Sequence, residues 1–464
     1  MSREPHAPHE SALPPGSIPA PDASEGDVNL SPRRGEYLAR AHGPDTLALL
    51  QRDARVYLHQ SLSTPCLNAL ASARGSVLTD LGGREILDFH GNSAHQVGHA
   101  HPRVVEAVTR QLASLPFCPR RYTNEPAVRL AERLGGLTGG RLPRVLLAPG
   151  GAAAMGIALK LARVATGRFK FLSTWGSFHG ASLDTISIGG EAVFRRGIGP
   201  LLPGCEHAQP CAPSSCALGC GGRCSLACAG EVEDILEREG DVAALILEPV
   251  RCTTVEVPPP DYFRRIRDAC DRHGTLLIFD EIPTALGRTG RMFSFEHFGV
   301  EPDILVLGKG LGGGIVPQAA VLARDDLNTA ASTSLGHYTH EKSPLGAAAA
   351  LATLDVIRDE GLCARAERLG HAWRARLRGL IGPSGLLREV RGLGLLVGVE
   401  LTAGHAAATA DLCDRVLYGA LERGLSFKVS DGRVLTLTPA LTVGEDELER
   451  AAGILAECIT RAKK

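Results

Sequence analysis

The sequence predicts an α/β protein. A large domain carries a mostly parallel sheet covered by helices, and a small α+β domain is assembled from both ends of the chain. Three observations carry this expectation. From about residue 100 to 330, short apolar runs alternate with helical patterning, as in successive strand–helix units. The runs are continuously apolar, as strands buried on both faces must be. Outside that span the chain reads as short strands near its start and as strand-rich patterning after a helix at Pro344–Arg358.

Taken in order, residues 1–34 hold many Pro, Ser, Ala and Gly and few large apolar groups, which predicts a flexible tail. A helical stretch follows at Tyr37–Leu58. Gly75–Phe89 reads as two short strands around the Gly82-Gly83 turn. The strand candidates of the large domain are Val145–Leu147, Lys170–Ser173, Ala243–Leu247, Leu276–Phe279 and Ile304–Leu307. Arg388–Glu400 resumes strand patterning. The expected division is a tail at 1–34, small domain at 35–95 and 345–464, and large domain at 96–344 with a cysteine-rich insertion at 204–228.

The chain has 464 residues, with 50 basic and 51 acidic side chains and a formal net charge of -1, so nothing favours nucleic acid or an anionic membrane surface. No apolar run is long enough to span a bilayer. Met1–His6 leads into a Pro/Ser/Ala-rich stretch rather than an apolar signal core, and a cytoplasmic location is expected. There the 13 cysteines are expected to stay mostly reduced. Six of them, Cys205, Cys211, Cys216, Cys220, Cys224 and Cys228, fall in the insertion, with His207 nearby. Such recurring spacing suits zinc or an iron–sulfur cluster, but no C-x-x-C pair is present. The favoured reading is a reduced, packed insertion loop over a subunit interface, with no metal.

Two residues carry the chemistry. Lys309 leaves an apolar strand and enters the glycine-rich turn Gly308–Gly314, and Asp280 ends another apolar strand. A lysine that forms a Schiff base and a carboxylate that keeps a pyridine nitrogen protonated are the groups pyridoxal phosphate chemistry needs. Freed by a substrate amine, the lysine can also act as general base. The small residues Gly150–Ala154 lie at a strand-to-helix turn, where backbone N–H groups make an anion site for a cofactor phosphate. In Trp175–Gly180, after the next strand, Phe178 and His179 are candidates to lie against a cofactor ring.

From about Gly75 to the C-terminus the chain resembles the class III aminotransferase family of fold-type I pyridoxal phosphate enzymes. The resemblance rests on Asp280–Phe293, Phe298–Ile304, Gly308–Gly314, Glu248-Pro249-Val250 and Val390–Gly394. It implies a seven-stranded large-domain sheet, Lys309 as the Schiff-base lysine and Asp280 as the pyridinium partner. It further implies Gly151 and Ala152 at the phosphate, and Phe178 with His179 at the ring. Thr339 matches a threonine that reaches the phosphate of a neighbouring subunit, which implies a homodimer with shared active sites.

Departures from the family pattern bear on the substrate. Pro283 stands where most members carry a glutamine bonded to the cofactor's ring oxygen, and Thr436 stands where most carry an arginine that grips a substrate carboxylate. Glu248, that arginine's usual partner, loses its counter-charge, and Ala152-Ala153 replace a usual Thr-Glu pair. Asp88–Gly98, Leu115–Asn124 and His337–Pro344 are similar to the (R)-1-hydroxy-2-aminoethylphosphonate ammonia-lyase branch. Arg120 and Arg121 are the candidate phosphonate ligands, with Lys342 adding charge. The expected reaction removes a proton from the aminated carbon through Lys309 and expels the adjacent hydroxyl, with a proton from Lys309 or His95. Two alternatives stay open: an aminotransferase acting on an amine without an α-carboxylate, and a catalytically silent binding or metal-sensing scaffold.

Overall fold

The structure, a computed structural model, describes residues 31–61, 63–220 and 224–463. Most of the expected tail lies outside the described residues. Its end does not: Pro32–Ala41 is already helical, opened by Ser31, whose Oγ accepts from the Arg33 N–H at 3.3 Å. The single helix expected at Tyr37–Leu58 is two helices, Pro32–Ala41 and Pro44–Val56. His42-Gly43-Pro44 divides them, because proline removes the N–H that a continuous helix would use.

The strands, in chain order, are β1 (Leu70–Arg74), β2 (Val77–Asp80), β3 (Glu85–Asp88), β4 (Arg144–Ala148), β5 (Lys170–Thr174), β6 (Cys205–Ala208), β7 (Val242–Leu247), β8 (Leu276–Asp280), β9 (Ile304–Leu307), β10 (Ala319–Ala323), β11 (Leu387–Leu393), β12 (Leu396–Leu401), β13 (Leu425–Ser426), β14 (Lys428–Ser430) and β15 (Val434–Leu437). Seven of them form the central sheet in the order β4-β10-β9-β8-β7-β5-β6. β10 runs antiparallel to both neighbours, and the rest of the sheet is parallel. Every residue of β7, β8, β9 and β10 is buried, which explains the unbroken apolar runs.

Two strands of this sheet escape a sequence reading. β6 is an edge strand that begins the cysteine-rich segment with Cys205-Glu206-His207, and β10 holds three alanines, which carry little strand preference.

Both chain ends meet in one sheet. β13 pairs parallel to β3, with Leu425 opposite Leu87 and Ser426 opposite Asp88. The Thr438 N–H donates to the Phe89 carbonyl at 2.7 Å, one residue beyond β3. The other small sheet, β11-β12-β15-β14, is antiparallel. Its buried Glu400 accepts from Arg391, Arg388 and Arg433 at 2.5, 2.9 and 2.7 Å. Arg391 also reaches the Thr254 and Val255 carbonyls at 2.7 and 3.1 Å, which clamps the hairpin 251–256 to this sheet. Among the described residues no helix is long and apolar enough to cross a membrane.

Candidate active site

The chemistry-bearing residues sit at the carboxyl ends of the parallel strands, where open α/β sheets place their ligands. Gly151 follows β4, His179 follows β5, Glu248 follows β7, Asp280 ends β8 and Lys309 follows β9. All five line one cavity of about 650 Å³, as do Ala152 and Phe178.

Lys309 has a left-handed backbone, φ 46°, directly after the extended Gly308. That conformation costs a non-glycine residue free energy and clusters at functional sites. It leaves the lysine exposed to the cavity while Gly310 and Leu311 beside it are buried. A Cβ on Gly310 would stand 2.4 Å from the Gln96 amide, so only glycine lets the turn pack this closely.

Asp280 and His179 are each 1% exposed and joined by a 2.8 Å hydrogen bond from Nδ1 to Oδ2. His179 Nε2 meets Ser173 Oγ at 3.2 Å, and Asp280 Oδ1 accepts from the Ile282 N–H at 3.0 Å. The aspartate is therefore fixed in direction before anything binds, as a charge partner for a ring nitrogen must be. Its neighbour Glu281 is structural. It accepts from the Ser294 and Phe295 amides at 2.6 and 2.7 Å, and burial pushes its carboxyl up to about 7.

The phosphate end is built from positions where side chains do not fit. The helix Gly151–Thr166 opens at Gly150 without a side-chain cap, so its first amides keep their donor capacity for a ligand. A Cβ on Gly151 would stand 2.9 Å from Ile282 Cδ1, and one on Gly180 (φ 129°) would stand 2.8 Å from Ala152 Cβ. The residues present thus fit pyridoxal phosphate: helix-start amides for its phosphate, Phe178 and His179 beside its ring, Asp280 for its nitrogen and Lys309 for its aldehyde. Gly180→Ala is expected to cost on the order of 1–3 kcal/mol of strain at this approach. The measurement is cofactor absorbance after exhaustive dialysis, which should fall well below that of the parent protein.

The substrate side departs from the family pattern as the sequence indicates. Thr436 is buried, its Oγ1 bonded to the Thr253 carbonyl and 3.2 Å from Ser430 Oγ. Glu248 accepts from the Phe178 and Cys252 amides at 3.4 and 3.2 Å, and burial pushes its carboxyl above the ordinary value. Two backbone donors thus stand where an arginine partner would. Pro283 lines the cavity.

Lys428 is a cavity residue that sequence reasoning missed. It lies on β14 directly opposite Thr436 on β15, and opposed residues on a strand pair have Cβ atoms about 5 Å apart. Arg34, His90, Asn92 and Thr253 complete a polar rim of the same cavity. His90 and Asn92 lie in the lyase-like segment Asp88–Gly98, whereas no local motif marks Lys428, which the β14–β15 pairing brings opposite Thr436.

Arg120, Arg121 and Thr339 do not line this cavity. Arg120 lies against His337, with nitrogen–nitrogen distances of 2.6 and 2.9 Å, while Arg121 and Thr339 are exposed. The two segments that carry them pack together: Phe117 stacks edge-on to His340 at 5.1 Å, and Asn124 Nδ2 donates to the Lys342 carbonyl at 3.0 Å.

His95 does not line the cavity either. It is 1% exposed, with Nε2 3.2 Å from the Asp88 carbonyl, and burial lowers its imidazole to about 4. It is neutral at pH 7 and is not the proton donor to a leaving group. It affects stability instead. The unfolded chain takes up a proton at this histidine near pH 6.5, and the folded chain refuses it until about pH 4. Stability should therefore fall as pH drops through that window, by roughly 3 kcal/mol at its foot. Urea midpoints at pH 7 and pH 5 test this: His95→Gln should lose less between them than the parent protein.

The comparisons agree with this geometry. The family description "Aminotransferase class-III" matches residues 59–459. The (R)-1-hydroxy-2-aminoethylphosphonate ammonia-lyase of Vibrio splendidus is 47% identical over 95% of this chain and 96% of its own length. The acetylornithine aminotransferase of Mycobacterium tuberculosis is 36% identical over 90% of this chain and 98% of its own. Among solved structures, a Bacillus anthracis aminotransferase superposes with TM-score 0.83 at 27% identity, covering 91% of this chain and 100% of its own. An amine transaminase from an uncultivated Pseudomonas species, solved in its pyridoxal-phosphate-bound form, gives TM-score 0.81 at 31% identity over 88% and 99%. The chain belongs to the class III aminotransferase family and is a pyridoxal-phosphate-dependent enzyme of fold type I.

Proposed function

We propose that the protein is an ammonia-lyase that converts (R)-1-hydroxy-2-aminoethylphosphonate to phosphonoacetaldehyde and ammonia. The observation that carries this reading is the exchange on the substrate wall: Thr436 is tied to backbone where the family places its carboxylate-gripping arginine, and Lys428 stands directly opposite. A phosphonate dianion suits that ammonium, and a planar carboxylate finds no guanidinium fork on β15. The similarity to the Vibrio splendidus lyase supports the same substrate class.

When bound, pyridoxal phosphate supplies an electron sink for the carbon that loses a proton. Asp280, held by His179 and the Ile282 amide, keeps the ring nitrogen's proton in place. Lys309 Nζ takes the proton from the aminated carbon and, then protonated, returns one to the departing hydroxyl, which leaves as water. The released enamine tautomerises and adds water, so the net products are the aldehyde and ammonia. No oxidant and no keto acid enter the balance. Lys428 holds the phosphonate, and Phe178 covers the ring.

A homodimer with shared active sites belongs to the same proposal. Thr339 and at least one of Arg120 and Arg121 then serve the partner's cavity. The exposure of Thr339 and Arg121 supports this, as does that of the flanking Leu115, Phe117 and Tyr122, since exposed apolar groups beside charged ones mark interfaces.

The experiment compares the hydroxylated phosphonate amine with 2-aminoethylphosphonate, which has no leaving hydroxyl. Ammonia from the first alone supports elimination. Conversion of the cofactor to its amine form by the second would make the protein an aminotransferase.

A further inference from the structure

The insertion between β6 and the helix Ala227–Glu239 has no place in the reaction above. Residues 209–226 hold no helix or strand among those described, and none of the cysteines there lines the reaction cavity. Two of them are in contact: Cys216 Sγ lies 3.1 Å from Cys220 Sγ, and both are free thiols. The sulfurs of a disulfide are bonded at about 2 Å, so closing this pair takes a shift of about 1 Å.

A turn holds the two sulfurs together. The Gly219 N–H donates to the Cys216 carbonyl at 3.2 Å, and Gly219 takes a left-handed φ of 70°, which glycine adopts without strain. Ahead of the turn the chain is anchored at Ser214. Its carbonyl accepts from Arg388 Nη2 at 3.0 Å, and its N–H donates to Glu256 at 3.3 Å. On the other side, the Ser225 N–H donates to Cys220 Sγ at 3.4 Å, and its hydroxyl lies 3.2 Å from the same sulfur. These contacts make the two sulfurs unlike. The Ser225 hydroxyl and N–H, with the Cys216 thiol, lower the Cys220 thiol to about 7, whereas partial burial raises that of Cys216. Both are half-buried beside the exposed Ala217, Leu218 and Gly219, while Cys211 and Cys228 are buried. A reachable thiolate with a second thiol against it is the arrangement that reversible oxidation uses.

We propose that Cys216 and Cys220 form a reversible dithiol–disulfide site that reacts with small-molecule disulfides, Cys220 attacking and Cys216 resolving. The Cys220 thiolate attacks one sulfur of a disulfide R–S–S–R, forms a mixed disulfide and releases one thiolate RS⁻. Cys216 then gives its proton to solvent and attacks Cys220 Sγ. The Cys216–Cys220 bond forms as the second RS⁻ leaves. The two cysteines lose two electrons, and the small disulfide gains them. Exposed disulfides are the readily reduced ones, so the pair stays open under a reducing poise and closes where disulfides accumulate.

The test uses the full-length holoenzyme, reduced, freed of reductant and incubated with excess oxidised glutathione. Free thiols are then alkylated, and the peptides are mapped by tandem mass spectrometry. The expected product is a Cys216–Cys220 disulfide that dithiothreitol reopens. Cys216→Ser should stop at a glutathione adduct on Cys220, and Cys220→Ser should leave Cys216 a free thiol. Retained cofactor absorbance shows that each variant is folded, and the map of the parent protein decides the pairing where a variant is not. The absence of any disulfide in the parent protein would overturn the proposal. So would pairing of Cys220 with a different cysteine, or a glutathione adduct on Cys216 in Cys220→Ser. None of these outcomes depends on which amine the enzyme consumes.

Discussion

Lys309→Ala is expected to lower turnover at least about 10³-fold while leaving the fold intact. The side chain is exposed and lines the cavity, so its removal enlarges that open space rather than creating a void in the core. The left-handed backbone at 309 remains as costly for alanine as for lysine, so stability should move little. What disappears is the amine that the proposed mechanism places at the reacting carbon. Lys309→Arg, which keeps the charge but is not a usable base, should be nearly as inactive. Rate measurements with saturating cofactor, beside thermal unfolding of each variant, check both halves. A variant with more than a tenth of the parent rate would remove Lys309 from the centre of the chemistry.

Lys428→Met is the second large effect. Methionine keeps most of the side-chain length and removes the charge. A charge-assisted contact of this kind is worth about 1.5–3 kcal/mol, so KM for the phosphonate amine should rise roughly 10- to 150-fold. Turnover at saturation should change far less, because the anion is held alike in ground and transition states. The place of Lys428 in the cavity and its register opposite Thr436 are the grounds for this expectation. Parallel measurements on Arg120→Ala and Arg121→Ala apportion the anion between this lysine and the two arginines. An unchanged KM in Lys428→Met, with a raised KM in either arginine variant, would place the phosphonate with the arginines alone.

The parts of the site that the sequence reveals are those adjacent to strands. Lys309 and Asp280 each follow a fully buried apolar run, and Gly151 follows one buried at its end, so the strand announces the residue that leaves it. The losses at Thr436 and Pro283 are equally legible, because a family pattern fixes what should stand there. Lys428 is not. It sits in a three-residue strand, and only the β14–β15 register turns it toward Thr436. His95 misleads in the opposite way: it lies in the lyase-like segment Asp88–Gly98, yet packing against Gly91 and Asp88 buries it away from the cavity. The fold shows the same division. Continuous apolar strands declare themselves, whereas alanine-rich β10 and the polar edge strand β6 are strands only because neighbours pair with them.

Elimination rather than amino transfer is the central claim, and single-substrate turnover tests it directly. The holoenzyme is mixed with (R)-1-hydroxy-2-aminoethylphosphonate, with no keto acid present, and ammonia is followed. The prediction is sustained release over many turnovers, matched mole for mole by phosphonoacetaldehyde. Release that stops at one equivalent per active site, resuming only when a keto acid is added, would contradict it and make the protein an aminotransferase.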